Sequence, residues 1–116
     1  GRGTRRLLLH AAARGLIRVS PVNYFEVAAL LAGGRIHINR PLAQWFAEAA
    51  EDVRLVDLTA EAAVDAAYIP RTALGDPMDR LLVATARQLG ATFVTADRAI
   101  LAYAKAGHVR VHDASR

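Results

Sequence analysis

Four carboxylates and one hydroxyl stand where chemistry could occur: Glu26, Asp76, Asp79, Asp97 and Thr95. Glu26 lies in Ser20-Pro-Val-Asn-Tyr-Phe-Glu-Val, where a proline after a serine marks the first turn of a helix. At about 100° per residue it falls between Val22 and Leu30, inside an apolar arc that also holds Phe25 and Ala29. A carboxylate on that side faces inward, and an inward charge requires an arginine, a set of hydrogen bonds or a metal ion. Asp76 and Asp79 lie in Gly-Asp-Pro-Met-Asp-Arg, which suits a helix start and its dipole. Capping fits Asp76 better than Asp79, because Asp79 projects with Leu82, Val83 and Ala86 whereas Arg80 and Arg87 point the other way. Asp97, two residues after Thr95, is by itself a helix cap, with Thr95 competing for the role. Taken together, Glu26, Asp79 and Asp97 would crowd negative charge at one sheet edge. Such crowding raises carboxylate pKa values unless a hard cation such as Mg²⁺ or Mn²⁺, which favours oxygen ligands, neutralises it.

The elements that must deliver these residues follow from periodicity and punctuation. Thr4 to Ala13 reads as a helix ended by Gly15, Leu16 to Ser20 as a strand, and Pro21 to about Ala32 as a helix closed by Gly33 and Gly34. Pro41 opens a helix to about Ala50, Val53 to Leu58 is the next strand, and Thr59 to Ala67 the next helix, capped by Thr59. Pro77 to Leu89 is a strong helix ended by Gly90; then come strand Thr92 to Thr95, helix Asp97 to Ala106 and strand Val109 to His112. Strands separated by helices predict an α/β fold, three-layer α/β/α, with a mostly parallel central sheet. In such sheets the functional crevice lies at the carboxyl ends of the strands, which is where the acidic residues fall.

Composition bounds the partners. The 116 residues, 53% hydrophobic and 22% charged, suit one globular domain over residues 1–116. No apolar run reaches the ~18 residues of a membrane span, and the amino end has no secretory pattern, so a cytoplasmic chain without a membrane partner is expected. The absence of cysteine removes disulfides, thiolate zinc sites and cysteine nucleophiles. A net charge of +4, carried by fourteen arginines and one lysine, suits a polyanion such as RNA, although an arginine-rich background composition gives the same excess. Arg35, Arg40, Arg80 and Arg98 are candidates for phosphate contacts beside the acidic residues, each set against the ordinary solvated arginine. Trp45 and Phe46, with Leu42, fit packing against a helix or a partner surface better than stacking on a base. The four histidines show no close metal-ligand pairing.

Three segments in this order, Ser20-Pro-Val-Asn-Tyr-Phe-Glu-Val, Asp76-Pro-Met-Asp-Arg-Leu-Leu-Val-Ala-Thr-Ala and Phe93-Val-Thr-Ala-Asp-Arg-Ala-Ile-Leu, resemble the PIN-domain family, in particular the VapC-like toxins of type II toxin–antitoxin modules. The resemblance implies Mg²⁺- or Mn²⁺-dependent endoribonuclease activity through a metal-activated water. It places Glu26, Asp79 and Asp97 at three of the family's four acidic positions, Thr95 at a supporting hydroxyl and Asp76 as a further candidate. It also implies an RNA substrate, an antitoxin protein partner and a homodimer. Family members open with a strand carrying an aspartate, whereas no acidic residue precedes Glu26 here. The domain is therefore expected to be amino-terminally incomplete, with the first strand and one ligand missing; truncation, a misplaced start and genuine loss all give this pattern. A PIN-like module that binds antitoxin or RNA without cleaving is the alternative function. A receiver-like signalling domain would want a lysine after a late strand, and the only lysine, Lys105, falls in a helix.

Overall fold

Two helix starts anchor the architecture, and both are written locally. Ser20 Oγ accepts from the Val22 N–H (3.1 Å) while Asn23 Oδ1 accepts from the Ser20 N–H (2.8 Å), a reciprocal cap that opens helix α2 (Pro21–Ala32). Asp76 Oδ1 accepts from the Met78 N–H (2.8 Å) and opens helix α5 (Pro77–Leu89). In both, proline fixes the first helical residue, where its missing N–H costs nothing. The computed structural model describes all residues, Gly1–Arg116. Helix α1 spans Arg2–Ala13, β1 Arg18–Val19, α3 Leu42–Ala49, β2 Arg54–Leu55, α4 Ala60–Tyr68, β3 Phe93–Thr95, α6 Arg98–Ala104 and β4 Val111–Asp113. Packing divides the chain into two compact units, Leu7–Asp57 and Gly1–Arg6 together with Leu58–Arg116.

In the Leu7–Asp57 unit, α1 is stopped at Gly15, whose φ of +67° is a conformation that glycine adopts without steric cost. Strands β1 and β2 run parallel with Arg18 opposite Arg54 and Val19 opposite Leu55. The ladder is closed by the Arg54 N–H on Ile17 O (2.9 Å) and the Val56 N–H on Val19 O (2.8 Å). Helix α3 turns Phe46 toward Tyr24 of α2, with ring centroids 5.1 Å apart and Trp45 edge-on to Phe46. These rings, with Val19, Val27, Ala49 and Val53, line an apolar cleft of about 140 Å³. The packing role expected of Trp45 and Phe46 is the one observed.

In the other unit, α5 is the central element. Leu82, Val83, Ala84, Thr85 and Ala86 are all buried. On one side Ala84 meets Ala62 and Ala66 of α4. On another, Val83 and Ala86 join Ile69, Leu74, Ile100 and Val109 in the main apolar cluster. Thr59 caps α4 by accepting from the Ala62 N–H (3.1 Å) and donates to Gln88 Oε1 of α5 (2.8 Å). Arg87 holds Asp65 of α4 through two hydrogen bonds (3.1 and 2.6 Å) and donates to the Tyr103 hydroxyl of α6 (3.0 Å). Strands β3 and β4 are parallel, with Phe93 opposite Val111 and Thr95 opposite Asp113.

The class is α/β, and the mostly parallel sheet expected from the sequence is present as two parallel two-stranded sheets, β1–β2 and β3–β4. The helices fall where expected, α1 beginning two residues early. The strands are shorter or displaced. The run at 16–20 is a strand only at Arg18–Val19, with Ile17 O accepting at its start and Ser20 spent as a cap at its end. The last strand starts at Val111, opposite Phe93, after buried Val109 and after Arg110 O, which receives the first ladder bond from the Phe93 N–H (2.8 Å). No helix is long and apolar enough to cross a membrane.

Leu74 is 1% exposed and sits in the main cluster beside α5. Leu74→Ala should destabilise the fold by about 2–5 kcal/mol, read as a lower urea midpoint. Val64→Ala, at a site 60% exposed, should leave the midpoint nearly unchanged.

Candidate active site

The start of α5 carries two of the candidate carboxylates. Asp76 is exposed and caps the helix; Asp79, one turn later, is half-buried. Its side continues into buried Leu82, Val83 and Ala86, as the helical spacing requires. Carboxylate oxygens of Asp76 and Asp79 lie within 4.8 Å of each other. Arg80 donates to Leu74 O (3.1 Å), so this guanidinium braces the loop that leads into the pair instead of standing fully in solvent. Asp76, a secondary candidate from the sequence, therefore stands directly beside the first-rank Asp79.

Thr95 and Asp97 follow β3. The Thr95 hydroxyl accepts from the Asp97 N–H (3.0 Å), and Asp97 Oδ1 accepts from the Ile100 N–H (3.0 Å). Asp97 is thus the cap of α6, and Thr95 is the residue that shapes the turn into it. The competition between them is resolved by each taking one N–H. Ile100 is 2% exposed, so the turn that presents Asp97 is tied to the core. The Asp97 carboxylate does not lie within 4.8 Å of both Asp76 and Asp79.

In the Leu7–Asp57 unit, Glu26 is half-buried on α2. Val22 on the same arc is buried at 5% exposure, but Phe25 is 60% exposed and Ala29 is also exposed. The apolar arc is therefore only partly inward: its Val22 side is covered and its Phe25 side is not. Arg35 is exposed in the turn after α2, and Arg98 is exposed at the first position of α6. Arg40 forms an ion pair with Glu48. The Glu48 carboxyl is held below its usual range, first by the Gln44 amide and then by Arg40.

Sequence reasoning misses one carboxylate. Asp113 ends β4 directly opposite Thr95 and accepts from the Ser115 hydroxyl (2.6 Å) and the Ser115 N–H (2.9 Å). These two bonds, the hydroxyl first, lower its pKa from the ordinary aspartate value. Its signal is the Asp-x-Ser spacing, an Asx turn. His112, its neighbour, lies 2.9 Å from the Thr4 hydroxyl through Nε2, and His108 stacks on Tyr103 with centroids 4.4 Å apart.

Residues 2–106 match the PIN domain family. Over 82 residues the chain is 39% identical to Ribonuclease VapC22 of Mycobacterium tuberculosis (strain ATCC 25618 / H37Rv). That stretch covers 71% of this chain and 63% of the relative, so the match spans less than two thirds of the relative's length. No solved structure matches the chain significantly.

Two measurements separate capping from other roles. Asp97→Ala should lower stability by about 1 kcal/mol, whereas Asp97→Asn, which keeps a capping oxygen, should lower it by only a few tenths; thermal melts read the difference. For Asp113 the folded pKa is depressed, so its contribution to the terminal turn is present above the unfolded value and is lost as pH falls through the lowered one. A carboxyl-carbon NMR titration should give a midpoint below about 3.9, and Ser115→Ala should raise it.

Proposed function

Because this chain belongs to the PIN domain family, we propose that it is a divalent-metal-dependent endoribonuclease, the toxin of a toxin–antitoxin module, with Glu26, Asp79 and Asp97 as its acidic residues and Thr95 and Asp76 in support. The observation that carries this is the close Asp76–Asp79 pair at the mouth of α5, inside the matched region. Likeness to a protein named as a ribonuclease supports the reaction class.

The donor set fits a hard cation. Two oxygens bound to one Mg²⁺ at about 2.1 Å can be at most about 4.2 Å apart, and the Asp76–Asp79 oxygens lie within 4.8 Å, so a small rotamer adjustment brings both onto one ion. Carboxylates without cysteine select Mg²⁺ or Mn²⁺ over thiophilic metals. When bound, such an ion lowers the pKa of water and stabilises charge on the phosphate being cleaved. Asp79 would hold it from a helix whose next turn is buried. Asp76 presents an oxygen already oriented by the Met78 N–H. Asp97 offers a carboxylate fixed through the Ile100 N–H, with Thr95 setting the turn. Arg35, Arg80 and Arg98 are proposed to meet RNA phosphates, Arg80 while also bracing the loop. The proposal includes a single domain over residues 1–116, an antitoxin partner, a homodimer and a cytoplasmic setting.

Purified chain incubated with structured RNA and Mg²⁺ or Mn²⁺ should cleave it, with loss of cleavage in chelator. Asp79→Asn and Asp97→Ala, with folding verified by circular dichroism, should lower the rate by at least about 100-fold, the upper range for changes to residues that only support metal ligands. RNA binding with no cleavage above the Asp97→Ala control would point to the binding-only module.

A further inference from the structure

We propose that Arg18 and Arg54, set side by side by the register of β1 and β2, form a binding site for the dianion of a phosphate monoester. The site needs no cleavage, so it stands or falls apart from the ribonuclease reading. In a strand pair, residues in register project to the same face from backbones about 4.8 Å apart. Arg18 is opposite Arg54, and Val19 is opposite Leu55. Val19 lines the apolar cleft with Tyr24, Trp45 and Phe46, and successive side chains of a strand alternate between faces. The two arginines therefore share the face turned away from that cleft.

Like charges directly opposite one another destabilise a strand pair, and neither the Arg40–Glu48 nor the Arg87–Asp65 ion pair relieves this one. Glu51 and Asp52, exposed in the turn before β2, belong to neither pair. The two guanidinium groups are held differently. Arg18 is half-buried, and its Nη1 donates to Gly15 O (2.8 Å), at the residue whose φ of +67° sets the turn into β1. One corner of that group is thereby fixed, which leaves Nε and Nη2 to donate to a ligand. Arg54 is exposed and can close on a ligand that Arg18 holds. A phosphate monoester carries nearly two negative charges at neutral pH and three strong acceptor oxygens. It matches two guanidinium forks in both charge and acceptors, whereas a carboxylate or an internal phosphodiester brings one charge.

The test is calorimetric titration of the whole chain with inorganic phosphate, in chelator, together with NMR of the arginine Nε–H groups. Binding should saturate and shift the Arg18 and Arg54 Nε–H signals together. Arg54→Ala, at an exposed position, should keep the fold and weaken Kd by at least about tenfold, the size expected for a lost charge-assisted contact. Arg54→Lys, which keeps the charge without the fork, should fall between the two. Arg71→Ala, exposed in the other compact unit, should leave Kd unchanged. Competition separates the sources of the phosphate. Better displacement by an RNA oligonucleotide with a 5′-phosphate than by its 5′-hydroxyl twin assigns the site to strand ends, and displacement by neither assigns it to free phosphate. Binding that does not saturate, or an unchanged Kd in Arg54→Ala, would overturn the site. Equal displacement by the two oligonucleotides, or displacement by polyglutamate, would overturn the choice of a monoester.

Discussion

A helix buried around its circumference cannot rotate or slide without opening cavities on more than one side, and α5 is in that position from Leu82 to Ala86. Ala84 meets the alanines of α4, while Val83 and Ala86 pack into the cluster that includes Ile100 and Val109. Interiors packed to crystal-like density respond to such shifts as discrete penalties. The direction of Asp79 is therefore inherited from the core one turn away. Leu74, packed in the same cluster, and Arg80, donating to Leu74 O, extend that rigidity back through the loop that presents Asp76.

A capping role does not preclude a carboxylate from holding a cation. Asp76 and Asp97 each spend one oxygen on a backbone N–H at a helix start. A carboxylate held this way is oriented before any ligand arrives, as outer-shell hydrogen bonds orient the ligands of metal sites. The features that make these residues look structural are the same ones that would prepare them to bind a cation.

Much of this was legible in the sequence because it is local. Ser20-Pro21 and Asp76-Pro77 set helix starts within a few residues, and Gly15 and Gly90 set ends through positive φ. The i, i+3 spacing of Asp76 and Asp79 put both at one helix mouth. What was not legible depends on partners distant along the chain. Strand lengths follow from ladder register, which placed β4 at Val111–Asp113. The Asp65–Arg87 bond joins residues 22 positions apart, and no periodicity marks it. The exposure of Phe25 shows the same limit: a helical wheel finds an apolar arc but does not say which part of the arc meets a neighbour.

Arg87 has a consequence for how the Leu58–Arg116 stretch comes apart. One guanidinium grips α4 through Asp65 and α6 through the Tyr103 hydroxyl, and the pairing raises its own pKa, chiefly through Asp65. Fraying of either outer helix strips partners from a half-buried cation that the other helix must then satisfy with fewer acceptors. Local opening is thereby made cooperative: α4 and α6, which lie on opposite sides of α5 in sequence, are coupled into a single breathing unit whose latch belongs to the helix between them.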